Sequence, residues 1–206
     1  MMATGRFITF EGIDGAGKSS HLAFLSEAIR ARGVEVVLTR EPGGTPLGEQ
    51  LRAMILKEEM EGTTEALLMF AARREHLVRV IEPALAQGRW VLSDRFSDAT
   101  YAYQCGGRGL PASVFERLES LVHPDRQPDA TFLFDLDPGI ACDRQRAQSR
   151  TPDRFESEAA EFFRKVREAY LDRARRHPQR VKVIDASGGI EAVRARLAAA
   201  FAAAFP

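Results

Sequence analysis

The chain has 206 residues, 29 Lys and Arg against 29 Asp and Glu, and a formal net charge of zero. With 45% hydrophobic and 28% charged residues it reads as a globular chain able to bury a sizeable core, not as a disordered or fibrous one. Charge balance and a pI near 6.9 exclude bulk electrostatic attraction to nucleic acid or an anionic membrane.

Residues 6–11 form the first apolar run, and Glu11 ends it too early for the apolar core of a secretion signal. A helical pattern over 18–32 is stopped by Gly33, and a short run at 34–38 predicts a second strand. Helices are predicted over 45–56 and 65–87, the latter stopped by Gly88 and carrying Pro83, which predicts a kink or an early end. A strand at 90–93, a helix at 111–122 and a strand at 130–135 follow. Helices at 138–148 and 157–176, a strand at 181–184 and a helix at 190–204 complete the order. The strands hardly alternate between apolar and polar residues, the pattern of strands covered on both faces. Five such strands alternating with helices predict a single three-layer α/β domain over residues 1–206, a parallel sheet flanked by helices. The longest apolar stretch, residues 197–205, is nine residues long, whereas a membrane span needs about 20. Cys105 and Cys142 cannot make a disulfide framework, and no His/Cys cluster has zinc spacing, so two free thiols in a reducing cytoplasm are expected.

Gly12-Ile13-Asp14-Gly15-Ala16-Gly17-Lys18-Ser19 matches the GxxxxGK[ST] phosphate loop, between a predicted strand and a predicted helix. Its glycines let backbone N–H groups turn toward a polyphosphate, and the new helix points its positive end the same way. Lys18 supplies a charge for the β- and γ-phosphates, and the Ser19 hydroxyl is placed to ligate Mg²⁺. Asp94, ending the third strand, is the expected acidic partner, holding Mg²⁺ through water or orienting Arg95. This is a P-loop NTPase fold, but the loop alone does not separate a kinase from a GTPase or a regulatory switch. The guanine-reading NKxD and an Asp-x-x-Gly after the third strand are both absent from the sequence.

A second set of anion and base ligands is present. Thr39-Arg40-Glu41-Pro42-Gly43-Gly44-Thr45 closes the second strand, Phe70 and Arg74 stand at i, i+4 on one helix, and Asp94 through Gln104 follows the third strand. In these segments, in this order, the chain resembles the thymidylate kinase family nearly end to end. The resemblance implies phosphoryl transfer from Mg-ATP to dTMP and a homodimer, while charge balance and the short apolar runs lead us to expect no nucleic-acid or membrane partner. It implies that Arg95 grips the acceptor phosphate, for which a planar two-pronged donor is suited. It also implies that Phe70 stacks on thymine, Arg74 reaches the base carbonyl, Thr100 and Gln104 border base and sugar, and Tyr103 closes the 2′ side. Asp14 would accept from the sugar 3′-hydroxyl; Arg52 and Glu41 belong to the same acceptor site.

Arg144, Arg146, Arg150 and Arg154 crowd a segment around 143–157 that Pro152 interrupts. In the family such a segment is a lid over the donor phosphates. Some members carry an arginine where this chain has Gly15, so the resemblance implies a catalytic arginine from the lid, Arg150 first, with Arg146 and Arg154 the other candidates and Arg154 also placed at ATP. A kinase for dUMP or UMP is the nearest alternative; a nucleotide-dependent switch has no use for a second anion site.

Overall fold

The computed structural model describes residues 5–146, 154, 155, 158 and 160–206, the side chains of 145 and 146 excepted. Five strands, β1 Phe7–Glu11, β2 Val36–Arg40, β3 Trp90–Asp94, β4 Ala130–Asp135 and β5 Val181–Asp185, pair in the order β2-β3-β1-β4-β5. Every pairing is parallel, with Phe7 opposite Val91 and Ile8 opposite Ala130. β1 is buried throughout, as a run without alternation requires, whereas the edge strand β2 is only half buried. An edge strand has a neighbour on one side only, so its faces are less completely covered.

Alternate side chains of β1 feed two separate cores. Phe7 and Val91 pack with Phe70, Leu77, Ile81, Phe96 and Phe115; Ile8, Phe10 and Leu92 pack with Leu25, Ile29 and Leu197 on the other face. A sheet buried from both sides is the three-layer arrangement that the strand pattern demands.

The helices are α1 Lys18–Arg30, α2 Pro46–Lys57, α3 Gly62–His76, α4 Glu82–Ala86, α5 Ser97–Thr100, α6 Ala112–Val122, α7 Pro138–Arg146, α8 Ala160–Arg176 and α9 Ile190–Ala204. α2 begins on Pro46 with Thr45 as its cap, the Thr45 hydroxyl accepting from Gly48 N–H at 2.9 Å. Pro83 does not end the long predicted helix at once; the helix runs on to Ala86. Leu77–Ile81 opens into a π turn, and Glu82 N–H bonds to the Leu77 carbonyl five residues back. That wider turn carries the chain past a residue that has no N–H and crowds the carbonyl four back. After β3, α5 runs into a second π segment, Tyr101–Gly107, against which α8 packs. In the sequence this stretch follows the third strand with no element predicted for it.

Candidate active site

The site gathers at the carboxyl ends of β1, β2 and β3, where helices begin and backbone amides are free. Between β1 and α1 the chain turns on Gly12 (φ 134°), Gly15 (φ 84°) and Gly17 (φ 87°), a conformation that side chains resist. A Cβ on Gly12 would strike the Phe134 carbonyl, and one on Gly15 the Ala141 carbonyl, so the loop is seated tightly on β4 and α7. Ile13 and Ala16 anchor it in the core. Lys18 Nζ donates to the carbonyls of Gly12 at 3.0 Å and Ile13 at 3.1 Å and lies 3.8 Å from Asp14. Burial and then Arg95 push the Lys18 ammonium below its ordinary pKa, against the pull of Asp14 and Asp94. Ser19 is exposed beside it. Asp94, on the adjacent strand, keeps Oδ1 buried with no partner among the described residues. An orphaned carboxylate oxygen at the end of β3 and an exposed hydroxyl at the start of α1 are the donor types that suit a hydrated divalent cation.

Next to the loop opens a cleft of about 600 Å³. Arg95 sits at its floor in a left-handed backbone, φ 73°, which among the described residues no other non-glycine adopts. Its N–H bonds to the Phe10 carbonyl at 3.0 Å, and Ser93 Oγ donates to its carbonyl at 2.8 Å. The guanidinium spreads over three acceptors: Asp14 Oδ1 at 2.7 Å, Tyr103 Oη at 3.1 Å and Tyr170 Oη at 3.0 Å. Burial alone would raise Asp14, but the Arg95 and Lys18 charges outweigh it and hold the carboxyl well below the usual range. Tyr103 Oη donates to Asp14 Oδ2 at 3.1 Å, and burial keeps that phenol neutral, its pKa pushed well up. Behind them Glu11 accepts from Phe96 N–H at 2.7 Å and from Tyr170 Oη at 3.0 Å. Burial, then the charge of Asp98, push Glu11 up to about 8.

The far wall comes from α2, α3 and the segment after β3. Arg73 is almost fully buried and donates Nε to Glu41 at 2.8 Å and Nη2 to Thr100 Oγ1 at 2.8 Å; its Nη1 has no partner among the described residues. Glu41 is held by His76 Nδ1 at 2.9 Å as well; burial opposes its ionisation, yet Arg73 and His76 bring its pKa down. Gln104 donates Nε2 to Glu65 at 2.7 Å, and its Oε1 is buried without a partner among the described residues. Met69, Leu56, Phe96 and Phe155 supply apolar lining.

The family model described as thymidylate kinase matches residues 10–197. The chain belongs to the thymidylate kinase family. It is 60% identical over 190 residues to the thymidylate kinase of Methylobacillus flagellatus, covering 92% of this chain and 93% of that one. The thymidylate kinase of Burkholderia vietnamiensis is 57% identical over 206 residues, covering 98% and 100%. Among solved structures, a thymidylate kinase from Ehrlichia chaffeensis aligns with a TM-score of 0.77 at 37% identity, covering 96% of this chain and 99% of that one.

Set against the expectations from the thymidylate kinase resemblance, Asp14, Glu41, Arg52, Arg95, Thr100, Tyr103 and Gln104 all line the one cleft, with Lys18 beside it. Two expected residues do not. Phe70 is 1% exposed and packs on Phe115 and His123, with the Arg73 guanidinium 4.7 Å from its ring. Arg74 turns away and donates to the Val122 carbonyl at 3.2 Å. The i, i+4 pair on the cleft is Met69 and Arg73. Each helical residue advances the face by about 100°, so a one-residue slip exchanges cleft for core. The signal was available: stepping back from the core residues Ile81 and Leu77 by helical periods reaches Phe70 and Ala66. Arg154, expected at ATP, bonds instead to the Ile55 carbonyl at 2.9 Å and to Glu65, on the cleft side. Arg146 ends α7; its side chain and the whole of Arg150 lie outside the described residues. Glu11, Glu65, His76 and Tyr170, which organise the site from behind, carry no motif that sequence reasoning reads.

Proposed function

We propose that the chain transfers the γ-phosphoryl group of ATP to dTMP, giving dTDP. The observation that carries this reading is a pair of unpartnered buried groups on residues that line the cleft, one donor on Arg73 and one acceptor on Gln104. Thymine offers the complement, a carbonyl beside a ring N–H, and a buried polar group left unmet costs about 1–3 kcal/mol. Met69, Leu56 and Phe96 then cover the ring faces, with Met69 where the sequence pointed to Phe70. Arg95 exchanges Asp14 for the acceptor phosphate, and Asp14, thereby freed, accepts from the 3′-hydroxyl. Tyr103, packed beside Asp14, restricts the 2′ position.

On the donor side the loop from Gly12 to Ser19 cradles the polyphosphate, with Lys18 leaving its own loop carbonyls for the β- and γ-oxygens. Ser19 and, through water, Asp94 would hold Mg²⁺, which when bound supplies charge neutralisation between the β- and γ-phosphates. Arg146 or Arg150 brings the further positive charge that Gly15 does not. No covalent intermediate is required; the chain's own residues position two anions and exclude water. We further place the protein in the cytoplasm as a homodimer, with nucleotides as its small-molecule partners.

Incubation with Mg-ATP and a panel of dTMP, dUMP, UMP and dCMP, following ADP release, tests the reading. Preference for dTMP supports it; equal or greater use of UMP favours the alternative kinase, and ATP hydrolysis indifferent to every acceptor favours a switch.

A further inference from the structure

Glu65 lies in the first turn of α3, fully buried, and no reacting group needs it. Its Oε1 accepts from Gln104 Nε2 at 2.7 Å. Its Oε2 is taken by the Arg154 guanidinium, and Arg108 Nε stands 3.9 Å from Oε1. A carboxylate between two guanidinium groups offers lone pairs only, so it can receive the NH₂ end of a carboxamide and not the oxygen. The two ends of an amide have nearly the same shape, and the hydrogen-bond network alone decides which way it points. Here the network permits one direction. Gln104 Oε1 is left over as the buried, unpartnered atom of a residue lining the cleft.

We propose that Glu65 is a positioning residue for base selection: by holding the Gln104 carboxamide with Oε1 free, it makes the cleft require a ring N–H. Thymine and uracil carry a proton on N3. Cytosine carries a lone pair there, so two acceptors would confront each other and neither would be satisfied. The proposal rests on the reading that the acceptor base occupies this cleft. It explains why a carboxylate is buried behind Gln104, where a neutral amide would allow Gln104 to turn over and present NH₂ instead. Arg73 Nη1, a fixed donor, continues to oppose the cytosine amino group whatever Gln104 does, so loss of Glu65 relaxes selection without inverting it.

The test compares kcat/KM for dTMP and dCMP in wild type, E65Q, Q104M and the double variant, with thermal unfolding followed for each. E65Q is expected to raise the dCMP-to-dTMP ratio about tenfold or more, chiefly through acceptor KM, with the KM for ATP unchanged. Q104M should raise the ratio comparably, and E65Q should add little on top of it, because Glu65 acts through Gln104. A proportional loss with both substrates in E65Q, or effects that multiply in the double variant, overturns the proposal. If E65Q does not fold, E65D carries the test: its carboxylate is withdrawn by one methylene, so the ratio must still rise, and an unchanged ratio overturns the proposal. Wild-type protein that releases no ADP with dTMP sinks the kinase reading and this proposal together. An active wild type with an unmoved ratio in E65Q sinks this proposal alone.

Discussion

Arg95 holds a left-handed backbone that costs about 1–3 kcal/mol in a residue with a Cβ. Its own N–H bond to Phe10, the Ser93 hydroxyl and three guanidinium acceptors together keep it there. The strain aims a cation into the cleft, the place where an anionic acceptor needs it. On the opposite wall the Met69 and Arg73 register separates two outcomes that the sequence confuses. Phe70→Ala should cost about 3–5 kcal/mol of stability as a core cavity, with acceptor KM little changed, by denaturant unfolding and steady-state kinetics. Met69→Ala should do the reverse, raising acceptor KM with a smaller loss of stability. Arg74→Ala should leave kinetics near wild type, whereas Arg73→Ala should lose acceptor affinity and about 3–5 kcal/mol of stability by stranding buried Glu41. Lys18→Ala should lower kcat by on the order of 10³ or more with the far-ultraviolet circular dichroism unchanged, since the charge it removes stabilises the transferring group.

At the scale of elements, β1 ends in the buried carboxyl of Glu11 just before the phosphate loop, and that burial has a pH signature. Glu11 rises from an ordinary 4.5 to about 8, through burial and then the charge of Asp98. Between those values the folded chain binds a proton that the unfolded chain has released, so this contribution to stability falls as pH rises across the window. Glu11→Gln removes the titration, and the melting temperature of the variant minus that of wild type should climb from pH 5 to pH 8. A flat difference means that Glu11 stays ionised throughout. Asp98 works with the opposite sign: burial opposes its ionisation, but Arg180 and Arg173 pull its pKa far down, and the stability it contributes is lost as pH falls below the ordinary carboxylate range. The arginines expected of a lid, Arg146 at the end of α7 and Arg150 outside the described residues, carry a kinetic test. Charge spreads over the equatorial oxygens of the moving phosphoryl group, and Gly15 offers none to meet it. The double variant Arg146→Ala/Arg150→Ala should therefore lose about 10²-fold in kcat with dTMP binding nearly unchanged; a retained kcat assigns that charge elsewhere.

At the scale of the whole molecule, α3 and α6 pack on one face of the sheet and carry exposed Leu67 and Leu121, with Val78 just beyond on the π turn. A second copy covering these side chains is the proposed homodimer, which sedimentation at micromolar concentration should report; Leu121→Glu should shift it toward monomer, and a wild-type monomer removes the dimer from the reading. The sequence by itself determined whatever is local. Glycine spacing followed by Lys18-Ser19 specifies a phosphate loop because turn, charge and helix start lie within eight residues. Unalternating runs specify a parallel sheet because burial on both faces leaves no polar face to encode. The order β2-β3-β1-β4-β5 was not legible, since periodicity says which faces are buried and not which strands are neighbours. Only the tertiary structure decided the cleft. Arg95 meets Asp14 across 81 residues and Tyr170 across 75, and Gln104 meets Glu65 across 39. It also decided which residue of each neighbouring pair faces the cleft, Met69 while Phe70 goes to the core, and Arg73 and not Arg74, because 100° of helix rotation is settled by what the next layer packs against.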